Sequence, residues 1–75
     1  MQEVKVKGIY KHYKGDLYIV EGIATHSETG EKMIIYRGLY EDSPLWTRPY
    51  ELFVDKLPNN KFRFELQNIK SLRQK

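Results

Sequence analysis

Short segments of strand-forming residues alternate with turns rich in Gly, Asn and Asp along most of the chain. The apolar, aromatic and β-branched residues gather in segments at residues 8–13, 17–24, 33–40, 45–48 and 62–66. In the last segment, Phe62, Phe64 and Leu66 alternate with charged residues, as a half-buried strand requires. Turn signals recurring about every 8–12 residues are typical of a small β-barrel or sandwich. The pattern predicts a mainly β fold of about five antiparallel strands.

Two further segments carry helical patterns. Pro49 ends the fourth predicted strand because it has no backbone N–H to donate, and residues 50–53 are predicted to form one helical turn. Leu66, Ile69 and Leu72 stand at threefold spacing, which is compatible with a short helix over residues 67–75. No repeat or linker divides the chain, so we expect a single domain spanning residues 1–75, with the barrel at about 8–66.

Hairpin geometry assigns the faces of this predicted sheet. A two-residue turn at residues 15–16, together with Thr25 opposite Lys32, places Tyr10 opposite Glu21 and Glu21 opposite Tyr36. One face then collects a polar aromatic set: Tyr10, His12, Tyr36 and Tyr40. The opposite face is the predicted hydrophobic core: Ile9, Val20, Ala24, Met33, Ile35 and Leu39. A slip of one residue would exchange the two faces.

Glycines inside two strands indicate where the sheet bends. Gly22 and Gly38 each interrupt a predicted strand, and glycine weakens a regular strand but permits a bulge or a close backbone approach. Closing a small sheet requires such bends, so we predict a bulge or bend at both positions.

Composition limits the chemistry and the compartment. The 75 residues include no cysteine, which excludes disulfides, thiolate zinc sites and cysteine nucleophiles. No segment approaches the ~20 apolar residues of a membrane span, and the first residues lack a signal-peptide pattern. We therefore expect a cytoplasmic protein that is not associated with a membrane.

Ordered sequence strings resemble one protein family. They read G-x-Y-K-H-Y-K-G-x-x-Y at residues 8–18, H-S-E-T-G-E at 26–31, Y-R-x-L-Y at 36–40 and W-x-R-P at 46–49. The chain is thus similar, over about residues 8–64, to the Domain of Unknown Function 1653 family of small, mostly bacterial proteins. The resemblance implies an SH3-like barrel and no established activity. The family tends to have a glycine-containing turn and a proline before the Arg-Phe pair, where this chain has Asn59, Asn60 and Phe62.

Catalytic and metal-binding patterns are weak. Ser27 follows His26 directly, and neighbouring side chains in an extended segment point to opposite faces, so the pair is a poor dyad. His12 and His26 would lie roughly 23 Å apart in the predicted register, too far to share a metal ion with Glu28. We expect no enzymatic activity, cofactor or metal. Each histidine is predicted instead to hold a local hydrogen bond, His12 in the first hairpin and His26 in the loop shaped by Glu28 and Thr29.

A binding surface is the remaining hypothesis. Tyrosine, tryptophan and arginine are enriched at interfaces, and the predicted ligand-binding residues are Tyr10, His12, Tyr36, Tyr40, Trp46 and Arg48. The leading hypothesis is a protein or peptide partner, as SH3-like barrels often bind. The competing interpretation is that Tyr10, Tyr18, Tyr36 and Trp46 simply fill the core.

Charge asymmetry supports an alternative ligand. The chain carries a net charge of +3, and residues 56–75 hold six Lys and Arg against Glu65 alone. Such a basic segment is a hint of nucleic-acid binding, with single-stranded DNA or RNA contacting Lys61, Arg63, Lys70 and Arg73. Residues 1–55 hold nine Asp and Glu against seven Lys and Arg. The acidic barrel weakens this alternative, because nucleic-acid modules usually carry a basic face on the fold itself.

Overall fold

The structure, a computed structural model, describes residues 3–68. The elements follow in the order β1 (Ile9–His12), β2 (Leu17–Thr25), β3 (Lys32–Gly38), β4 (Leu45–Pro49), α1 (Tyr50–Phe53) and β5 (Phe64–Leu66). The five strands form one antiparallel sheet in the order β4-β3-β2-β1-β5. The predicted mainly β fold with one helical turn at residues 50–53 is confirmed.

The sheet curls so that its two edges approach each other. β4 and β5 are the edge strands, and four strand spacings of ~4.8 Å would hold them about 19 Å apart in a flat sheet. Instead, the guanidinium carbon of Arg48 on β4 lies 5.3 Å from the ring centre of Phe64 on β5. The strands therefore wrap into a small barrel, with side chains from both edges meeting inside it.

The core lies inside this curl, beneath the short helix. Its buried residues are Tyr10, Val20, Ile34, Tyr36, Phe53, Val54 and Phe64. Phe53 of α1 stacks on Phe64 with ring centres 4.2 Å apart and meets the rings of Tyr10 and Tyr36 edge-on, at 5.2 and 5.4 Å. Aromatic side chains bury the largest areas per residue, so this cluster supplies most of the core of a small domain.

The predicted core face is wrong on β1, because the first hairpin has a longer loop than expected. The His12 N–H donates to the Asp16 carbonyl at 2.8 Å and the Gly15 N–H donates to the His12 carbonyl at 2.7 Å. The loop therefore consists of residues 13–15, with Gly15 at φ 117°. His12 lies opposite Asp16 instead of Ile19, and this three-residue shift, being odd, exchanges the two faces of β1.

The predicted pairing at the end of the second hairpin and the predicted bulge at Gly22 are both confirmed. Thr25 pairs with Lys32, and the register shifts between Val20 and Gly22. Because the bulge adds one residue to β2, Val20 and not Glu21 faces Tyr36. Val20 thus joins the buried tyrosines, and Ile9 is also buried, although outside this cluster. The other members of the predicted core are not buried: Ala24, Met33, Ile35 and Leu39.

The last turn, at residues 57–61, is built on two asparagines, Asn59 and Asn60. The Leu57 N–H donates to the Lys61 carbonyl at 2.8 Å, and Asn60 adopts φ 70°. Asparagine tolerates this left-handed conformation better than most residues. The side-chain oxygen of Asn59 accepts the Lys61 N–H at 3.1 Å. The turn therefore forms without glycine, and β5 begins at Phe64.

Two remaining expectations concern the helical content. Residues 67 and 68 are not helical, and residues 69–75 of the predicted C-terminal helix lie outside the described residues. Within residues 3–68, no helix has the length and apolar character needed to cross a bilayer.

Candidate functional site

A pocket of about 210 Å³ opens on the inner face of the barrel, and each strand contributes to its lining. The lining residues are His12, Tyr18, Tyr36, Trp46, Arg48 and Phe64. The register explains this gathering, because Tyr36 pairs with Trp46 across β3 and β4 while His12 pairs with Phe64 across β1 and β5. Residues directly opposite each other in an antiparallel pair share a face. Four of the six predicted ligand-binding residues thus meet here: His12, Tyr36, Trp46 and Arg48.

Tyr10 is not part of any binding surface. Its side chain is fully buried against Phe53, and its hydroxyl accepts the Lys5 N–H at 2.9 Å. Burial raises the pKa of the Tyr10 hydroxyl above its ordinary value. The prediction of Tyr10 as a ligand-binding residue is wrong, because the corrected register turns it inward, and the competing core interpretation holds for this residue.

Tyr36 combines a core position with a place in the pocket wall. Only 6% of the residue is exposed, and its ring packs edge-on against both Phe53 and Phe64. Its hydroxyl accepts a hydrogen bond of 3.4 Å from the Nε of Arg48. Tyr36 therefore positions Arg48 as well as contributing to the core.

Tyr40 lies beside the pocket and is held there by a glycine. Its ring packs edge-on against Tyr18 with centres 6.4 Å apart, and 46% of Tyr40 stays exposed. Gly38 pairs with Tyr18 in the sheet, and a Cβ on Gly38 would overlap the Tyr40 ring. The register is regular at Gly38, so the predicted bulge is wrong there, while the strand ends at this residue and the chain bends at residues 39–40. Because Gly38 has no side chain, the Tyr40 ring has room at the rim of the pocket.

His12 is held in one orientation and one tautomer. Its Nδ1 accepts the Lys14 N–H at 3.2 Å, so in the neutral ring the proton sits on Nε2. The predicted hairpin role of His12 is confirmed by this bond. Burial lowers the pKa of His12, and the charges of Arg48, Lys14 and Arg63 lower it further, while Asp16 opposes them. The region around His12 is therefore electropositive, and the neutral ring offers one N–H donor.

Arg48 differs from the other arginines of the described chain. Arg37 pairs with Glu21 at 2.5 Å, and Arg63 pairs with Asp55 at 2.9 Å. Within residues 3–68, Arg48 has no carboxylate within 4.0 Å, although it is half-buried over the Phe64 ring. Since none of the lining residues is acidic, the pocket presents a positive charge and hydrogen-bond donors between aromatic walls.

The histidines do not assemble a metal site with the acidic residues. Across residues 3–68, no three His, Asp or Glu side chains lie close enough together to hold an ion. The Nδ1 of His26 accepts the N–H groups of Glu28 and Thr29 at 3.1 and 3.3 Å. The prediction that His26 holds its own loop is thereby confirmed.

The alternative nucleic-acid residues are only partly placed. Lys61 lines a second depression, of about 310 Å³, together with Lys11, Tyr13 and Phe62. Arg63 is engaged by Asp55, with two hydrogen bonds of 2.9 and 3.3 Å. Lys70 and Arg73 lie outside the described residues.

Two pocket residues were missed by the sequence analysis. Tyr18 and Phe64 line the pocket but were not predicted as ligand-binding residues. Strand alternation could have identified both residues. Tyr18 lies two residues before Val20 and therefore shares its face of the strand, and Phe64 lies at the centre of a strand in which apolar and charged residues alternate. A correct first-hairpin register would have placed Tyr18 opposite Tyr10.

Together these features define a small SH3-like β-barrel domain with an aromatic, basic pocket. The chain belongs to the family described as protein of unknown function (DUF1653), whose model matches residues 8–66. The crystal structure of a protein belonging to that family from Bordetella bronchiseptica is similar to it, with a TM-score of 0.72 and 33% sequence identity over 87% of this chain and 88% of that one. The predicted resemblance is confirmed, and no curated protein matches the chain.

Proposed function

We propose that this domain binds a protein or peptide partner and that the pocket accepts one side chain of that partner. The observation that carries the proposal is Arg48, a half-buried guanidinium without a carboxylate partner among the described residues, beside an open pocket. At about 210 Å³ the pocket is smaller than the ~300–1,000 Å³ of pockets for drug-sized ligands. A single side chain of a longer ligand matches this volume better than a whole cofactor does.

The surroundings of the pocket support a peptide ligand. Trp46 is 42% exposed at one side of the pocket, and Tyr40 packs on Tyr18 beside it. Such side chains supply large contact areas with little conformational entropy and are enriched at binding hot spots. Trp46 also lies on β4, an edge strand, where an extended peptide can add backbone hydrogen bonds.

Replacing Trp46 with alanine is expected to weaken peptide binding at least about tenfold while leaving the fold intact, because hot-spot residues dominate affinity and Trp46 is half-exposed. The measurement is isothermal titration of peptides selected from a phage-displayed random library on the wild-type domain. Leu52→Ala is the matched control, since Leu52 is 50% exposed on α1 and does not line the pocket. Failure of the library to yield a binder, or unchanged affinity in Trp46→Ala, would contradict the proposal.

A second candidate function, single-stranded nucleic-acid binding, is favoured by the second depression. Lys11 and Lys61 line it beside Tyr13, which is 51% exposed, together with one acidic residue, Glu65. Outside the lining, the Lys56 ammonium lies 5.3 Å from the ring centre of Phe62. Cations interleaved with exposed aromatic rings are the usual composition of single-strand binding surfaces.

The second candidate predicts salt-dependent binding of a labelled oligothymidine, measured by fluorescence anisotropy. Lys11→Gln and Lys61→Gln are each expected to weaken binding and to reduce its dependence on salt, because each removes one phosphate contact. Lys5→Gln, exposed and outside both depressions, is the control. A variant lacking residues 69–75 separates the basic C-terminal residues from the groove. No anisotropy change at low salt rules this function out.

A further inference from the structure

We propose that the partner side chain accepted by the pocket is a carboxylate, that of a glutamate or an aspartate. This inference rests on the proposed function and names the chemistry of its ligand. It is carried by an imbalance of charge and of hydrogen-bonding groups in the pocket.

The first part of the imbalance is the positive charge of Arg48, which has no carboxylate partner within residues 3–68. A guanidinium taken partly out of water normally has an acidic partner, as Arg37 and Arg63 do in this domain. Among residues 3–68, the Arg48 guanidinium contacts a neutral hydroxyl, that of Tyr36, and the face of the Phe64 ring, but no carboxylate. A guanidinium positioned in this way by its neighbours offers its remaining N–H groups in the fixed fork that matches a carboxylate.

The second part is an excess of donors over acceptors in the lining. The N–H on Nε2 of His12 is not used by the hairpin bond, which involves Nδ1. Tyr18 adds a hydroxyl whose pKa is raised by burial, so it remains protonated and can donate. Since the lining contains no Asp or Glu, a ligand that brings acceptors completes the pocket.

The aromatic walls of the pocket favour a carboxylate that is carried on an acidic side chain. The rings of Tyr18, Tyr36 and Phe64 meet edge-on at 5.6 to 5.8 Å and form an apolar lining around the short stem of an acidic side chain. A phosphorylated residue is the less suitable ligand, because phosphate sites typically use a cluster of arginines, and Arg48 is the single arginine of this lining. A basic side chain would be repelled by Arg48.

The test selects one phage-displayed peptide library in parallel on the wild-type domain, Arg48→Gln and Arg37→Gln. Arg37 is the matched control, an arginine outside the pocket. We expect Glu or Asp to dominate one peptide position with the wild type and with Arg37→Gln, and that preference to disappear with Arg48→Gln. A synthetic consensus peptide, acetylated and amidated, should bind the wild type about tenfold less tightly when its acidic residue is replaced by Gln or Asn.

The outcomes separate this inference from the function on which it rests. A consensus without an acidic position, or an acidic preference that persists in Arg48→Gln, overturns the carboxylate inference and leaves peptide binding standing. Tighter binding of the peptide with a free C-terminus, regardless of its acidic residue, overturns it in favour of a terminal carboxylate. A library that yields no binder removes the proposed function itself. If Arg48→Gln does not fold, Arg48→Lys and the peptide substitution on the wild type still decide the result.

Discussion

Replacing Phe53 with alanine is expected to unfold most of the chain at room temperature. Phe53 is fully buried and contacts the rings of Tyr10, Tyr36 and Phe64. Truncating a buried phenylalanine to alanine costs about 3–5 kcal/mol of folding free energy, and a core in a domain of this size rarely supplies more than about 3–5 kcal/mol. Urea denaturation followed by far-ultraviolet circular dichroism measures the loss directly.

The neighbouring residue provides the control for this prediction. Leu52 lies in the same helical turn but is 50% exposed, so Leu52→Ala should change the free energy of unfolding by no more than about 0.5 kcal/mol. Phe53→Leu should lower the free energy of unfolding by an amount between those of Phe53→Ala and Leu52→Ala, because leucine keeps much of the buried volume. If Phe53→Ala unfolds no more easily than Leu52→Ala, the helix does not close the barrel as the structure indicates.

The order of strands and turns follows from local sequence. Each strand lies where alternation or a run of β-forming residues predicted it, and the bounds differ by at most two residues, as when β5 begins at Phe64 in place of Phe62. Turn residues account for this agreement, since Gly15, Gly30 and Asn60 all adopt positive φ. The backbone conformation of a turn depends mainly on the residues within that turn, so it can be predicted from local sequence.

The choice of the buried faces depends on the bulge in β2 and on the length of the first loop, and local sequence does not determine that length. Gly15 suits both a two-residue turn at residues 15–16 and the observed loop at residues 13–15. The two options differ by an odd number of residues, so they place opposite faces of β1 inside. Both faces carry apolar side chains, because Ile9 alternates with Tyr10, and hydrophobicity alone did not choose between them. The aromatic cluster around Phe53 makes that choice in three dimensions.

The pocket was partly predictable for the same reasons. Trp46 and Arg48 alternate on one strand, so any register places them on one face. Adding Tyr18 and Phe64 required the pairing of β1 with both β2 and β5, which brings residues far apart in sequence together. Tyr10 was misassigned because its residue type suits a binding surface as well as a core. Residue chemistry thus identified four of the six lining residues, including Arg48, and topology supplied the other two.

Gly38→Ala is expected to destabilise the domain by about 1–3 kcal/mol and to displace Tyr40 from the rim of the pocket. The backbone of Gly38 does not have a positive φ, so alanine is compatible with it. The added Cβ would overlap the Tyr40 ring, and forcing extra carbon into a packed site costs about 1–3 kcal/mol. Urea denaturation gives the free energy, and loss of the nuclear Overhauser contacts between Tyr40 and Tyr18 reports the displacement.

The sign of this effect should reverse when the ring is removed first. A Tyr40→Ala background removes the three atoms nearest to the added Cβ, all of which belong to the Tyr40 ring. Replacing a strand glycine with alanine should then stabilise the domain by roughly 0.5–1 kcal/mol, because it reduces the conformational entropy of the unfolded chain. Gly22→Ala is the matched control, because a Cβ there meets no atom within 4 Å. An equal loss from Gly38→Ala with and without Tyr40 would mean that the glycine serves the backbone and not the ring. The reversal would establish that β3 ends in glycine so that an aromatic side chain can fold back over the sheet at the edge of the pocket.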